Sequence, residues 1–508
     1  MLRSKRNTSD LKIISYYCGY IVVGSSFFML IPIVVALMCK EYEPLIDFII
    51  SINISFIVGF LLMVYGKNDK ENYYVEWRHG LIIVSLAWLT LIVLAAIPYY
   101  LSGHMMSFLD AIFDVMSGFT TTGVFLIQDL DHISISLNMW RHTITFLGSQ
   151  GMVVLAMTFL TKKTQGAYKM YVAEGKDVEL LPSTRNTSKL IWIIGILFLA
   201  VGTFMLFITG IKIGISPLRA IYHAYCIISS AWSTSGFAPM SQNIMYYHSF
   251  SYEIIATIFL MVGSINFGFH YCILKANSKE VFKNIEIKTF LISIFIGAFF
   301  LTKGINNLNL YPDFISTFRK SIFTLLSAQS TTGFMNSYAS QFAFEWGDFN
   351  IIILVIVMLI GGCACSTSGG MKILRLSIVF KGFVSNIKES LVSERRIKTF
   401  KFHNIKDHVL DSEVIKSSAI IIFCYIILFL VGTLIGCYYN YPITQSAFES
   451  ASIVGNVGLS IGVTSPTMPI LLKVYYVFAM YVARLEFMAV FVLIGYSFEG
   501  IKSICMKR

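Results

Sequence analysis

Ten long apolar stretches, at about 11–37, 45–65, 80–101, 139–160, 188–210, 252–274, 286–302, 350–380, 414–438 and 468–497, recur along this chain of 508 residues. About 20 apolar residues are enough for a helix to cross the hydrocarbon core of a bilayer. Lipid offers no partners to open backbone, so only helices and closed barrels span it, and stretches of this length predict helices. A mean hydropathy of +0.71 with only 13% charged residues leaves too little polar surface to clothe a soluble fold of this size. The chain is therefore expected to be an all-α integral membrane protein, with the lipid bilayer as its first partner.

The net charge of +11 would also suit a nucleic-acid binder, so the position of the charge matters. Of the 39 Lys and Arg residues, 30 fall in six segments: the first dozen residues, Lys67 to Arg78, Lys162 to Lys189, Lys275 to Lys288, Lys372 to Lys416 and Lys502 to Arg508. Every second junction between apolar stretches is basic. That is the positive-inside pattern of a multi-pass protein with both termini cytoplasmic, and it argues against nucleic acid as a partner. The nine cysteines are scattered, without the paired spacing of a zinc site or a disulfide framework, and read as small buried side chains. The segment around Tyr16 to Leu37 has a basic front, but it is longer than a signal-peptide core and lacks a small-residue cleavage site. It reads as a retained helix.

After a first pair of spans, shorter segments of another kind sit between the apolar stretches, at 107–124, 217–237, 315–334 and 444–459. Each is too short to cross and ends in a Ser/Thr/Gly cluster. Aligned on Gly123, Gly236, Gly333 and Gly458, they share a serine six residues earlier (Ser117, Ser230, Ser327, Ser452). Ten residues earlier stand Phe113, Cys226, Phe323 and Phe448, and twelve earlier the small residues Ala111, Ala224, Ser321 and Ser446. The glycines are 113, 97 and 125 residues apart, so a whole module repeats four times in degenerate form.

The clusters read Thr120-Thr121-Thr122-Gly123, Ser233-Thr234-Ser235-Gly236, Ser330-Thr331-Thr332-Gly333 and Gly455-Asn456-Val457-Gly458. A potassium ion entering a membrane exchanges its water shell for oxygen ligands, and backbone carbonyls of an extended loop supply them. Glycine allows that backbone geometry, and irregular backbone at membrane depth is tolerated where it lines a water-filled cavity. Half-helices pointing their C-terminal ends at a common axis add negative potential there. The expected ligands are the carbonyls of Thr121, Thr122, Thr234, Ser235, Thr331, Thr332, Asn456 and Val457.

These clusters, together with WRHTITFLGSQGMVVLA at 140–156, GGCACSTSGGMK at 361–372 and ARLEF at 483–487, resemble the Trk/Ktr/HKT superfamily of cation transporters over nearly the whole length. The two extra N-terminal spans resemble its TrkH-type membrane subunits of bacterial potassium uptake. The resemblance implies four M1-pore loop-M2 repeats around one pseudo-fourfold pore, with the loop glycines determining selectivity. In related plant members a serine at the first glycine accompanies sodium selectivity, so Gly123 implies potassium. The repeats are expected at 76–165, 166–280, 281–405 and 406–508, after an N-terminal helix pair at 1–75. The resemblance further implies a homodimer in the bacterial cytoplasmic (inner) membrane and a cytosolic RCK-type partner that binds NAD or ATP. No cofactor is expected on this chain beyond the transported potassium.

Within 350–380, the run Gly361, Gly362, Cys363, Ala364, Cys365, Ser366, Thr367, Ser368, Gly369, Gly370 should break the helix, unless its small residues serve close helix packing. In the family this is an intramembrane gate, though Cys365 and Ser368 stand where the pattern usually has glycine or another small residue. Lys372 belongs either to that gate or to a cytoplasmic anchor. Arg484, in the middle of the last span, must face water or a partner. Glu486, two residues on, would point elsewhere on a helix. The resemblance makes Arg484 a positive barrier below the loops; a buried ion pair is the alternative. Asp114 and Glu449 either concentrate cations near the outer mouth or pair within their half-helices. Asn266 and His270 read as helix-to-helix hydrogen bonds, and the basic stretch Lys381 to Lys416, with SERRIKTFK at 393–401, would meet anionic lipid or the partner. No catalytic motif appears, so the chain is expected not to be an enzyme, and four parallel repeats disfavour a transporter built from two inverted halves. Proton- or sodium-coupled symport would use the same loops. The hydroxyl-free fourth loop makes the expected pore unequal, with looser selectivity than four identical loops would give.

Overall fold

The computed structural model describes residues 2–67, 75–127, 129–151, 184–274, 280, 283–391 and 400–505. Outside them lie the distal part of the span expected at 139–160, most of Lys162 to Lys189, residues 393–399 of the basic stretch, and parts of the basic segments at 67–78, 275–288 and 502–508.

Among the described residues, six helices are long and apolar enough to cross a membrane: Asp10–Cys39, Tyr42–Gly66, Trp77–Leu101, Asn186–Lys212, Ile285–Asn307 and Ser412–Tyr438. Between the spans lie the half-helices Phe108–Phe119, Pro217–Trp232, Phe314–Gln329 and Ile443–Val454. Each leads directly into one of the Ser/Thr/Gly clusters.

The helices that follow the clusters depart from expectation. Only 350–380 was expected to break, between Gly347–Ile360 and Ile373–Ser390, yet the spans expected at 252–274 and 468–497 are broken too. Phe250–Gly263 meets Phe267–Ile273 at 104°, and the apolar run from Ile470 is interrupted between Ile470–Arg484 and Met488–Cys505. In the first, Asn266 Oδ1 accepts the Gly268 N–H at 2.7 Å, so a side chain takes over a helical donor. In the second, Glu486 (φ +52°) and Phe487 (φ +69°) both adopt left-handed backbone, which ends the helix at Arg484. Glu486 is thus not on the helix of Arg484, contrary to the continuous span expected there. Ile135–Gln150 likewise stops at Gly151, whose φ is +88°.

The chain packs as two compact units. One comprises Met1–Phe119, Ile127–Gly195 and Arg484–Arg508. Within it Asp10, near the start of the N-terminal helix, is bound by His79 Nε2 (3.0 Å) and Arg78 Nη2 (3.1 Å) of the third span. Trp140 Nε1 donates to the Ala95 carbonyl at 3.3 Å, tying the span before the first cluster to the helix after it. Cys39, expected to be buried, is exposed at its helix end.

The second unit comprises Thr120–Leu126 and Ile196–Ala483, and so holds all four clusters. Trp232 stacks on Phe198 with ring centroids 4.8 Å apart and meets Phe267 and His270 edge-on or tilted. His270 Nε2 lies 2.9 Å from the Val262 carbonyl, so this histidine serves the bend of its own helix pair. Glu253, buried on Phe250–Gly263, receives Arg319 Nε at 2.9 Å and Asn336 Nδ2 at 3.0 Å. Arg319 sits on the third half-helix and Asn336 just after the third cluster. Breaking such a pair from one side leaves a buried charge uncompensated, moderated here because the Arg319 side chain is 43% exposed. Glu253→Ala is therefore expected to cost about 1–3 kcal/mol and to lower the melting temperature in detergent by several degrees. Glu253→Ala with Arg319→Ala should cost less than the sum of the two single changes; strict additivity would show that the two do not interact.

Outside the spans, Lys401–Asn404 and Lys406–Val409 form an antiparallel hairpin. His403 lies between two carboxylates, with Nδ1 2.6 Å from Asp407 and Nε2 3.1 Å from Glu280. Both ring nitrogens donate, which requires imidazolium, and the bonds to Asp407 and then Glu280 raise the histidine pKa above its ordinary value. Because the folded value is the higher one, this contribution is complete below the ordinary histidine range and is lost as pH rises through the raised value. Amide exchange at 401–409, corrected for its intrinsic pH dependence, should accelerate above that value, and His403→Gln should remove the pH dependence.

Candidate functional site

The second, third and fourth clusters begin where the half-helix is closed by a Schellman cap. The residue two before the glycine is left-handed in every copy: Thr121 (φ +54°), Thr234 (+52°), Thr331 (+58°) and Asn456 (+50°). The next N–H reaches back to the carbonyl of the serine six before the glycine: Ser235 to Ser230 (3.0 Å), Thr332 to Ser327 (2.9 Å) and Val457 to Ser452 (2.8 Å). Ser452 Oγ also accepts the Gly458 N–H at 3.0 Å, and Ser327 Oγ donates to the Phe334 carbonyl at 2.8 Å. In these three copies the repeating serine is therefore the point at which helix and loop are joined. A β-branched residue in left-handed backbone costs about 1–3 kcal/mol, so three threonines there mark strain held by their surroundings. The fourth copy uses asparagine, which tolerates this conformation best.

The glycines close the four loops into a ring. A Cβ on Gly123 would lie 1.5 Å from the Ser235 carbonyl oxygen, one on Gly236 2.2 Å from Thr332 O, one on Gly333 2.1 Å from Val457 O, and one on Gly458 2.2 Å from Thr122 O. Each glycine thus abuts the carbonyl preceding the glycine of the next loop, in the order one, two, three, four and back to one. All four have φ between +79° and +96°, which glycine alone adopts without cost. The same four line one cavity of about 330 Å³, together with Phe125 and Asn243. Among the described residues, no donor reaches the carbonyls of Thr121, Thr122, Thr234, Ser235, Thr331, Thr332, Asn456 or Val457. Buried carbonyls left open in this way are rare in native proteins, and four of them, those of Thr122, Ser235, Thr332 and Val457, lie against the ring of glycines.

The loops are buttressed unequally. Thr120 and Thr122 pair hydroxyl to hydroxyl at 2.8 Å, as do Ser330 and Thr332 at 2.7 Å. The fourth loop, lacking hydroxyls, is tied by Asn456 Nδ2 to Thr122 Oγ1 at 2.9 Å and to the Met480 carbonyl at 3.3 Å. Glu449 is fully buried and accepts from Ser460 Oγ (2.9 Å), Ile461 N (3.0 Å) and Thr464 N (3.1 Å). Its partners lie beyond the half-helix in which pairing was expected, on the segment that borders the cavity. Asp114 is also fully buried.

Residues Gly361 to Lys372 form a loop against three of the clusters. Thr367 Oγ1 lies 3.2 Å from Thr234 Oγ1 and donates to the Gly263 carbonyl at 2.7 Å. The Gly369 N–H donates to Thr331 Oγ1 at 2.7 Å, and a Cβ on Gly369 would lie 2.2 Å from the Gly455 carbonyl. Gln329 Nε2 holds the Gly361 carbonyl at 2.7 Å. Gly362 packs on Ser368, Ser366 bonds Ser368 at 2.7 Å, and Gly370 returns onto Gly361. Cys365 has a φ of +49°, where glycine would be the easier residue. Lys372 is buried, with its ammonium on the Ser368 carbonyl, so its side chain serves the loop and not an aqueous anchor.

Arg484 is half-buried at the C-terminal end of its helix, where a cation is favoured. Its Nη2 donates to the Gly148 carbonyl at 3.1 Å. Glu286 was missed by sequence reasoning, because one carboxylate at the start of an apolar span reads as a boundary charge. It is 1% exposed and accepts the Ala364 N–H of the loop at 2.7 Å.

Known proteins resemble this chain throughout. An uncharacterized cation transporter of Methanocaldococcus jannaschii is 27% identical over 485 residues, covering 95% of each chain. The Trk system potassium uptake protein TrkG of Escherichia coli is 29% identical over 497 residues, covering 96% of this chain and 98% of its own. The crystal structure of the potassium transporter TrkH from Vibrio parahaemolyticus superimposes with a TM-score of 0.79, at 22% identity, over 95% of this chain and 98% of that one, which establishes the shared fold. The profile of the family described as "TrkH: Cation transport protein" matches residues 46–499. This multi-pass membrane protein belongs to the TrkH family of cation transport proteins.

Proposed function

We propose that the chain takes up potassium through the ring of four loops, with the eight open carbonyls as ligands replacing the hydration shell. The observation that carries this is the cyclic contact of each loop glycine with the next loop's carbonyl. The names of the TrkG and TrkH relatives supply the ion. The loop Gly361 to Lys372 is the gate, a reading supported by its bonds to Thr234 and Thr331. Arg484 is a positive barrier to ion flow. The protein works as a homodimer in the cytoplasmic membrane with both termini cytoplasmic, regulated by a cytosolic nucleotide-binding partner.

The test is flux of potassium, sodium and rubidium in proteoliposomes at fixed voltage without a proton gradient. Flux that follows the potassium gradient alone is expected. Dependence on a proton or sodium gradient would replace this reading with coupled symport, and absence of potassium flux would sink it.

A further inference from the structure

We infer that Glu286 is the positioning residue that holds the Gly361 to Lys372 loop in place, and that the hairpin 401–409 reaches the loop through it. The inference rests on the gate reading above only for its consequence in flux. The loop and the bend of the second repeat are zipped by backbone bonds: Cys363 N to Ser264 O (3.1 Å), Phe267 N to Cys365 O (3.1 Å) and Thr367 N to Gly263 O (3.3 Å). The Glu286 carboxylate joins the two sides. It accepts Ala364 N–H on one oxygen (2.7 Å) and Asn266 Nδ2 on the other (3.3 Å), clamping both strands of the zipper from a third element.

The clamp is also connected outward. Asn284, which caps this helix, accepts the Glu286 N–H at 2.9 Å and donates to Asn404 Oδ1 of the hairpin at 3.0 Å. Glu280 accepts from both Ile405 N (3.0 Å) and His403. A displacement of the hairpin therefore pulls on the residue that seats the loop. No other carboxylate among those described bonds the loop backbone.

The experiment uses the full chain in proteoliposomes, with the rate of N-ethylmaleimide modification of Cys365, read by peptide mass spectrometry, as the measure of loop seating. Glu286→Ala is expected to raise that rate about tenfold, the scale of losing one charge-assisted hydrogen bond. Glu286→Gln, whose amide oxygen still accepts the Ala364 N–H but whose amide nitrogen cannot accept from Asn266 Nδ2, should give a smaller rise, within about threefold of the parent. Asn404→Ala should give a rise between the two. A parental rate in Glu286→Ala, or an equal rise in Glu286→Gln, overturns the inference. If Glu286→Ala does not give a monodisperse protein, Asn404→Ala decides, and a parental rate there overturns it. Rubidium flux measured alongside separates the two readings: faster labelling without more flux upholds the positioning role and rejects the gate.

Discussion

Gly123→Ser is expected to lower potassium flux by about tenfold or more and to erase the preference for potassium over sodium. Two costs meet at this position. A side chain at φ +84° costs about 1–2 kcal/mol, and a Cβ 1.5 Å from the Ser235 oxygen cannot be accommodated unless that carbonyl moves. Ser235 supplies one of the open carbonyls, so the clash is delivered to the neighbouring loop and not only to its own. At Gly236, Gly333 and Gly458 the hypothetical contacts are 2.1–2.2 Å, and alanine there should do the same to a smaller degree. Gly462 provides the control. Its φ is +102° and a Cβ there would meet nothing within 4 Å, so Gly462→Ala carries the dihedral cost without the clash. Ion selectivity measured in proteoliposomes should change for Gly123→Ser and not for Gly462→Ala. Equal changes would mean that backbone strain, and not ring closure, sets selectivity.

The four clusters were legible because the constraint on them is local. A glycine, a hydroxyl run and a serine at fixed spacing are all required by one capped helix end, and the requirement recurs in each copy. The left-handed position two before the glycine was not read. Threonine, occupying it in three copies, argues against that conformation, and only Asn456 signalled it. The bends at Gly263 to Phe267 and at Arg484 to Met488 were hidden because hydropathy continues unbroken through them. At the first, Asn266 takes the Gly268 N–H and is itself held by the distant Glu286, while the Ser264 carbonyl is taken by Cys363; at the second, left-handed backbone at Glu486 and Phe487 ends the helix, and neither residue type signals it. Glu286 itself has meaning only in its partners, which lie 20 and 78 residues away.

Excising Cys363 to Ser368 and joining Gly362 to Gly369 is expected to raise potassium flux by about ten- to a hundredfold while leaving the potassium-to-sodium ratio within about threefold. The excision is feasible because the loop closes on itself. A Cβ on Gly370 would lie 2.8 Å from the Gly361 Cα, and Gly361 and Gly370 are both in left-handed backbone, so the ends are already adjacent and a short glycine link spans them. The loop's attachments to the clusters, at Thr234 and Thr331, are made by side chains of the capped positions and not by the open carbonyls. On the gate reading, removing it takes away an obstruction without removing any of the proposed ligands. The competing reading is that the loop is a buttress, since Thr367 also holds the carbonyls of Trp232 and Gly263 at 3.0 and 2.7 Å. A buttress predicts the reverse pattern: flux that rises little, and selectivity that collapses as the strained threonines relax. Measuring both quantities on one preparation decides between them, because a gate changes how often ions pass and a buttress changes which ions pass.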